Sequence, residues 1–501
     1  MNPVSILDRL PLKSVPRPDR SLGSLLERLS RELLSISLAS SRFIPSKATP
    51  GLEQLPHEPS PAPANAARYW LDLPGFIDRL EGLGDRFVVT MPGSGAWVGL
   101  TAPDDIEKVF RADTEALYFG EALRMLSPHE LVLGPTNLTA LDGPEHLATR
   151  RLLLPAFHGE ALNSYEATIE QKAREAAADW PVGGPTPAIA ETSKVTLEVI
   201  MAAVFGVTEP ERLERLRDAV LELIDELGSR RFLFETAIAT ARRDGFSRPF
   251  PRIEERKAAV DAIVLEEIAE RRAGGGQATH DDVLGKLLAV RDDQGEGLGD
   301  PELCDQMRLM LIGGTDTTAT TIAWALDLIT HDPRVLRELT RSVKAGDEAY
   351  LTAVVQETLR MRPAFPFTVR LTKQPLELDG LTIPEGTIVA PFITLVHRRP
   401  DIYPDPLEFR PERFLGTRPG TYSWIPFGGG MRRCIGASMA QLEATVVLRT
   451  LIEELDLQPA VDESAPIGRH SVIAVPNNGA PVVATRRRPA GSPKADSGVR
   501  S

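Results

Sequence analysis

The sequence predicts a mainly α-helical fold with a small β portion, on three observations. Helix-period patterns fill most of residues 143–361. A β-like run at 367–397 is broken at Leu378-Asp379-Gly380 and Pro384-Glu385-Gly386. Hairpin signals stand near both ends of the body, at Pro92-Gly93-Ser94-Gly95 and Asn477-Asn478-Gly479.

In chain order, residues 1–64 form an extension rich in proline and serine. Within it Leu22, Leu25, Leu26, Leu29 and Leu33 share one face of an amphipathic helix, with Glu27, Arg28, Arg31 and Glu32 on the other. The proline-rich run 56–63 reads as a linker. A single large domain is expected over 65–488, opening with a hairpin of 86–90 and 96–101. Long helices at 301–331 and 351–361 follow, then an apolar helix from 436 to about 453. The last hairpin pairs 471–476 with 481–485, and residues 489–501 read as a disordered tail.

Composition narrows the function. The net charge of -13 opposes general nucleic-acid binding. Two cysteines in 501 residues exclude a disulfide framework and fit a reducing, cytoplasmic setting. No uncharged apolar stretch reaches membrane-spanning length, so no transmembrane anchor is expected, and the N-terminus lacks the apolar core of a signal peptide.

The most informative segment is Phe427-Gly-Gly-Gly-Met-Arg-Arg-Cys-Ile-Gly436. Cys434 closes a glycine-rich loop and precedes a helix, beside Arg432 and Arg433. A helix N-terminus and two guanidinium groups favour a thiolate, which suits a soft metal. Gly428, Gly429 and Gly430 permit a tight turn whose amides aim at the sulfur. No second cysteine or histidine pair lies at zinc-ligand spacing. One thiolate on such a loop, with Phe427 to pack on a flat ligand, suits the axial position of a haem iron.

Four further motifs bear on this reading. Gly313-Gly314-Thr315-Asp316-Thr317-Thr318 interrupts a long helix with two glycines, each costing about 1 kcal/mol against alanine. The run allows close approach of a ligand or an opened hydrogen-bond ladder, with Thr317 and Asp316 handling protons. Its alternative is a glycine kink with an exposed acid and threonines bonded to their own backbone. Glu357-x-x-Arg360 places two charges on one helix face, an ordinary surface pair unless Arg413 completes a buried cluster. His146-x-x-x-Arg150 aligns an imidazole and a guanidinium one turn apart. Arg370 follows Phe365-Pro366-Phe367-Thr368-Val369.

The pattern Phe427-x-x-Gly430-x-Arg432-x-Cys434-x-Gly436 resembles the haem-binding signature of the cytochromes P-450. The other motifs fall in that family's order, so the resemblance spans about residues 65–488. It implies a cytochrome P-450-like single large domain of the soluble bacterial type, binding haem b (iron protoporphyrin IX) through Cys434. It further implies that His146, Arg150, Arg370 and Arg432 meet the haem propionates, and that Phe427 and Gly436 shape the cofactor site. Asp316 and Thr317 are the implied proton-delivery residues, and Glu357, Arg360 and Arg413 the structural support. Gly313, where the family often has alanine, is implied to line the substrate pocket with Phe365 and Phe367. The pocket segments otherwise carry Tyr118, Phe119, Leu123, Met125, Leu126, Leu131 and Ile312, implying an apolar substrate.

The expected reaction inserts one oxygen atom from O2 into that substrate. With no G-x-G-x-x-G unit and no ferredoxin-like cysteine cluster, electrons are expected from a separate ferredoxin and ferredoxin reductase. Arg432, Arg433 and Arg151 are candidates for a basic docking patch, or for a merely solvated surface. A peroxide-driven or isomerising haem-thiolate enzyme is disfavoured by Asp316-Thr317. A non-catalytic haem sensor is disfavoured because no effector module is visible.

Overall fold

The computed structural model describes residues 51–487 except 113–114, 158, 207–208, 242–249, 274–281, 290, 292–294 and 296. The expected N-terminal amphipathic helix and the tail after 488 lie outside the described residues.

The chain enters through α1 (Ala62–Leu71) and α2 (Leu73–Leu80), then β1 (Arg86–Met91) and β2 (Gly95–Leu100). There follow α3 (Pro103–Arg111), β3 (Leu117–Tyr118), α4 (Phe119–Leu126), α5 (His129–Leu133), α6 (Gly143–Leu153) and α7 (Glu160–Asp179). Next come β4 (Pro185–Pro187), α8 (Ala188–Ile200), α9 (Pro210–Gly228), α10 (Arg230–Ala241), α11 (Pro251–Ala273) and α12 (Val283–Ala289). The long α13 (Asp300–His331) leads to α14 (Pro333–Ala345) and α15 (Glu348–Met361). Then β5 (Arg370–Thr372), β6 (Leu376–Leu378), β7 (Leu381–Ile383), β8 (Ile388–Pro391) and α16 (Ile393–His397) occupy the β-like run, whose end is helical rather than extended. The chain closes with α17 (Ala437–Glu454), β9 (Leu455–Pro459), β10 (Ile467–His470), β11 (Ile473–Pro476) and β12 (Pro481–Arg486).

The mixed sheet has the order β1-β2-β8-β5-β3 and divides two cores. Alternation along β1 sends Phe87, Val89 and Met91 to a cluster with Trp70, Phe76 and Trp97, while Val88 joins Val98 and Leu100 on the other face. The largest core surrounds α13, which is buried on nearly all sides from Leu303 to Thr330. A helix of this length runs about 48 Å at 1.5 Å per residue, enough to cross the whole body. Its burial all round explains why it shows no simple amphipathic stripe.

Two expectations are corrected. Run 56–63 is not a free linker: Leu52 is buried, and the Glu58 amide and Pro56 carbonyl pair with both backbone groups of Val88. Glu58 also meets Arg79 at 2.8 Å. Prolines tolerate this place because it borders a sheet edge. The final hairpin also pairs differently. β11 pairs with β10, whereas β12 lies between β4 and β9. Gly479 (φ 79°) and Ala480 (φ 52°) turn the chain away from β11 instead of folding it back.

Candidate functional site

The Cys434 loop is built by its glycines. Gly428 and Gly430 take positive φ (65° and 64°), which a Cβ would strain. Gly429 has ordinary dihedral freedom but no room: a Cβ there would stand 2.2 Å from the Phe110 ring. The Cys434 amide donates to the Phe427 carbonyl and the Gly428 amide to that of Ile425, both at 2.9 Å. Phe427 packs edge-on against Trp424.

Cys434 is an accessible residue although protein surrounds it, so its sulfur lies on the wall of an internal recess. Burial pushes the thiol up, against the Gly436 amide and the Arg433 and Arg150 cations that pull it down. The positive surroundings expected from the sequence are present, but burial outweighs them, and the amide that meets the sulfur belongs to Gly436, on the helix side. Cys304 differs: it is buried in α13, and burial raises it to about 11, a shift that leaves it an inert thiol.

Three arginines converge on His146. The imidazole is buried, and burial followed by the charges of Arg432, Arg150 and Arg370 lowers its pKa to about 3. Arg150 also lies in electrostatic reach of Cys434, linking this cationic group to the sulfur. Arg370 is buried, its Nη1 donating to Thr368 Oγ1 and the Val369 carbonyl, and its guanidinium stacks over Phe119. Arg432 is ion-paired at 2.5 Å to Asp142, so it is not part of an exposed docking patch, whereas Arg433 and Arg151 are exposed.

Gly313 and Gly314 have separate reasons. A Cβ on Gly313 would meet nothing nearer than Leu309 Cδ1 at 4.0 Å, and Gly313 is exposed in mid-helix, where only a recess explains exposure. A Cβ on Gly314 would stand 2.6 Å from Ile200 of α8, so this glycine serves close helix packing. The hydrogen-bond ladder does not open here, because α13 is α-helical throughout. Thr317 Oγ1 donates to the Gly313 carbonyl at 2.6 Å, the back-bonded alternative. Asp316 is buried and paired with His470 at 2.8 Å. Among the described residues no hydrogen bond or ion pair joins Asp316 or Thr317 to the Cys434 loop.

Glu357 and Arg360 form no surface pair. Both are essentially unexposed and joined by two bonds of 2.7 and 2.8 Å. Arg413 adds a contact of 3.3 Å and the Arg410 amide one of 2.9 Å. Arg360 also donates to the carbonyls of His397 and Pro406. Of the expected pocket aromatics, Phe365 is exposed, while Phe367 is a core ring enclosed by Tyr69, Trp97 and Phe392.

Sequence reading missed three residues. Asp142 accepts the amides of Phe119, Gly120 and Glu121, capping α4, and also holds Arg432. His397 joins the Glu357–Arg360 cluster to the Cys434 loop. His470 holds Asp316. Only Asp142, in the Asp-Gly-Pro-Glu entry to α6, carried a local signal, that of a helix-start residue.

Among the described residues no helix is long and apolar enough to cross a membrane. The fold matches a solved chain titled retinoic acid bound cyanobacterial CYP120A1, with TM-score 0.71 and 23% identity over 84% of this chain and 96% of that one. Cytochrome P-450 137 of Mycobacterium tuberculosis is 38% identical over 77% of this chain and 79% of its own. Cytochrome P-450 135B1 of Mycobacterium bovis is 35% identical over 79% of this chain and 84% of its own. The cytochrome P450 family model matches residues 56–482, and with these relatives it makes the chain a member of that family of haem-containing monooxygenases.

Proposed function

We propose that Cys434 would supply the sulfur that holds haem b, and that the enzyme oxygenates an apolar small molecule with electrons from a ferredoxin and its reductase. The observation that carries this reading is the company of Cys434: one accessible sulfur on an internal recess, with Arg150 beside it and Arg150, Arg370 and Arg432 around His146. Clustered guanidinium groups fit an acidic cofactor, because arginine meets carboxylates through paired, charge-assisted hydrogen bonds. When bound, a thiolate-ligated haem supplies the activation of O2.

The chain's own residues would then do the following. His146, Arg150, Arg370 and Arg432 hold the two propionates, Arg432 sharing its charge with Asp142. Phe427 and Gly436 would shape the cofactor site beside Cys434, and bare Gly313 would leave room for substrate. Asp316 and Thr317 hold and pass protons, and the buried Glu357–Arg360–Arg413 cluster fixes the loop. Exposed Arg433 and Arg151 are the candidates for meeting an acidic donor. Residues 65–488 form the catalytic body, working in the cytoplasm.

The test is the carbon monoxide difference spectrum of the dithionite-reduced protein. A strongly red-shifted Soret band in the wild type, absent in Cys434→Ala, supports the reading; the same band in Cys434→Ala removes Cys434 from the ligand role.

A further inference from the structure

Asp316 is held from outside its own helix. Its Oδ2 lies 2.8 Å from Nδ1 of His470, the last residue of β10. The imidazole's other face is set against the end of α9. There Ile224 and Asp225 lie near it, Asp225 contributing a second negative charge, and Gly228 is bare. A Cβ on Gly228 would stand 2.0 Å from Nε2 and 1.7 Å from Cδ2, so the glycine makes the seat for this ring. The neighbouring Arg469 is turned to Tyr69 and Trp70, with its guanidinium carbon 4.0 and 5.1 Å from their ring centres. His470 thus faces Asp316 from α13 and Asp225 and Ile224 from α9.

As imidazolium, His470 donates from Nδ1 to the Asp316 carboxylate and carries a charge that its acidic neighbours favour. The two acidic neighbours favour that state against the opposing effect of burial, and the pKa is raised. Exposure falls along the pair, from 20% for the His470 side chain to 9% for Asp316. Thr317 is the next residue. The arrangement leads from a partly exposed imidazole through a buried carboxylate to the helix segment that borders the recess.

We infer that His470 is a positioning residue that holds the Asp316 carboxylate and replenishes its proton from solvent. One proton passes from Nδ1 to Oδ2, and the neutral imidazole recovers one from water at its exposed edge; no heavy-atom bond changes. The pair itself stands independently, but its use in oxygen activation rests on the haem-thiolate reading above.

Two measurements separate these. In the full chain labelled with ring-15N histidine, the one of eight histidine signals lost in His470→Gln belongs to this residue. It is expected to be imidazolium at pH 7 and to turn neutral in Asp316→Asn. A neutral signal in the wild type at pH 7 overturns the inference, whatever the haem does. The second measurement is O2 consumption by the haem-loaded chain with a plant ferredoxin and its reductase, from pH 6 to 9. The wild-type rate should fall as pH rises through the imidazolium range. His470→Gln should be slower, on the order of tenfold, and flat with pH. An unchanged pH profile in His470→Gln with a normal carbon monoxide spectrum overturns the relay role, whereas loss of that spectrum in the wild type indicts the haem reading alone. Should His470→Gln fail to fold, the pH profile of Asp316→Asn decides in its place, flattening if the relay holds.

Discussion

His397 ties the Cys434 loop to the buried charge cluster: its Nε2 accepts the Ile425 amide at 2.9 Å while its Nδ1 donates to the Arg360 carbonyl at 3.0 Å. Those two bonds use one acceptor and one donor, so the ring is neutral. Burial first, then the Arg360 charge, lowers its pKa to about 3. In the unfolded chain the same imidazole binds a proton near pH 6.5. Acid therefore stabilises the unfolded state first, and each pH unit below that value removes about 1.4 kcal/mol of stability, until about pH 3. Urea midpoints measured from pH 7 to 5 should fall less steeply in His397→Gln than in wild type. Equal slopes would mean that His397 is already protonated in the fold.

The Glu357 carboxylate serves Arg360, Arg413 and the Arg410 amide at once. Glu357→Ala should cost about 3–5 kcal/mol, because it strands a buried guanidinium. Arg413→Ala should cost distinctly less, since Glu357 keeps its two bonds to Arg360. Urea unfolding of the two variants decides; equal losses would show that Arg413 is a full partner.

How much of this was legible in the sequence follows from contact range. The Cys434 loop and the Glu357–Arg360 pair lie within a few residues, and their spacing alone placed them on one loop and one helix face. His470 meets Asp316 across 154 positions and Arg432 meets Asp142 across 290, so no local pattern could pair them. His397 reaches Ile425 across 28, from the one part of the β-like run that folds as helix. The last hairpin was misread for a related reason. Its turn residues were recognised, but β11 and β12 each find other partners, and tertiary pairing overrides a local turn signal. The proline-rich run 56–63 was misread because composition alone does not reveal that an edge of β1 awaits it.

The adjacent glycines of α13 should respond oppositely to alanine. Gly313→Ala places its methyl in open space and should be neutral or stabilising by up to about 1 kcal/mol, the helix-propensity difference. Gly314→Ala drives a methyl into Ile200 at 2.6 Å and should cost about 1–3 kcal/mol. Adding Ile200→Ala to Gly314→Ala should restore part of that loss, which independent sites would not do. Thermal unfolding of the four proteins tests this, and a stabilised Gly314→Ala would refute the packing role.

Thr317 spends its hydroxyl on the Gly313 carbonyl, so it serves a proton only by leaving that bond. The bond is a local one on the helix, and alanine is the better helix former, so Thr317→Ala should change stability by no more than about 1 kcal/mol. Its effect belongs to chemistry: with a surrogate ferredoxin system, the share of electrons released as hydrogen peroxide should rise several-fold, while the carbon monoxide spectrum stays unchanged. Thr317→Ser, which keeps the hydroxyl, should remain near wild type. An unchanged peroxide share in Thr317→Ala would leave Thr317 as a back-bonded helix residue and place the final proton transfer elsewhere.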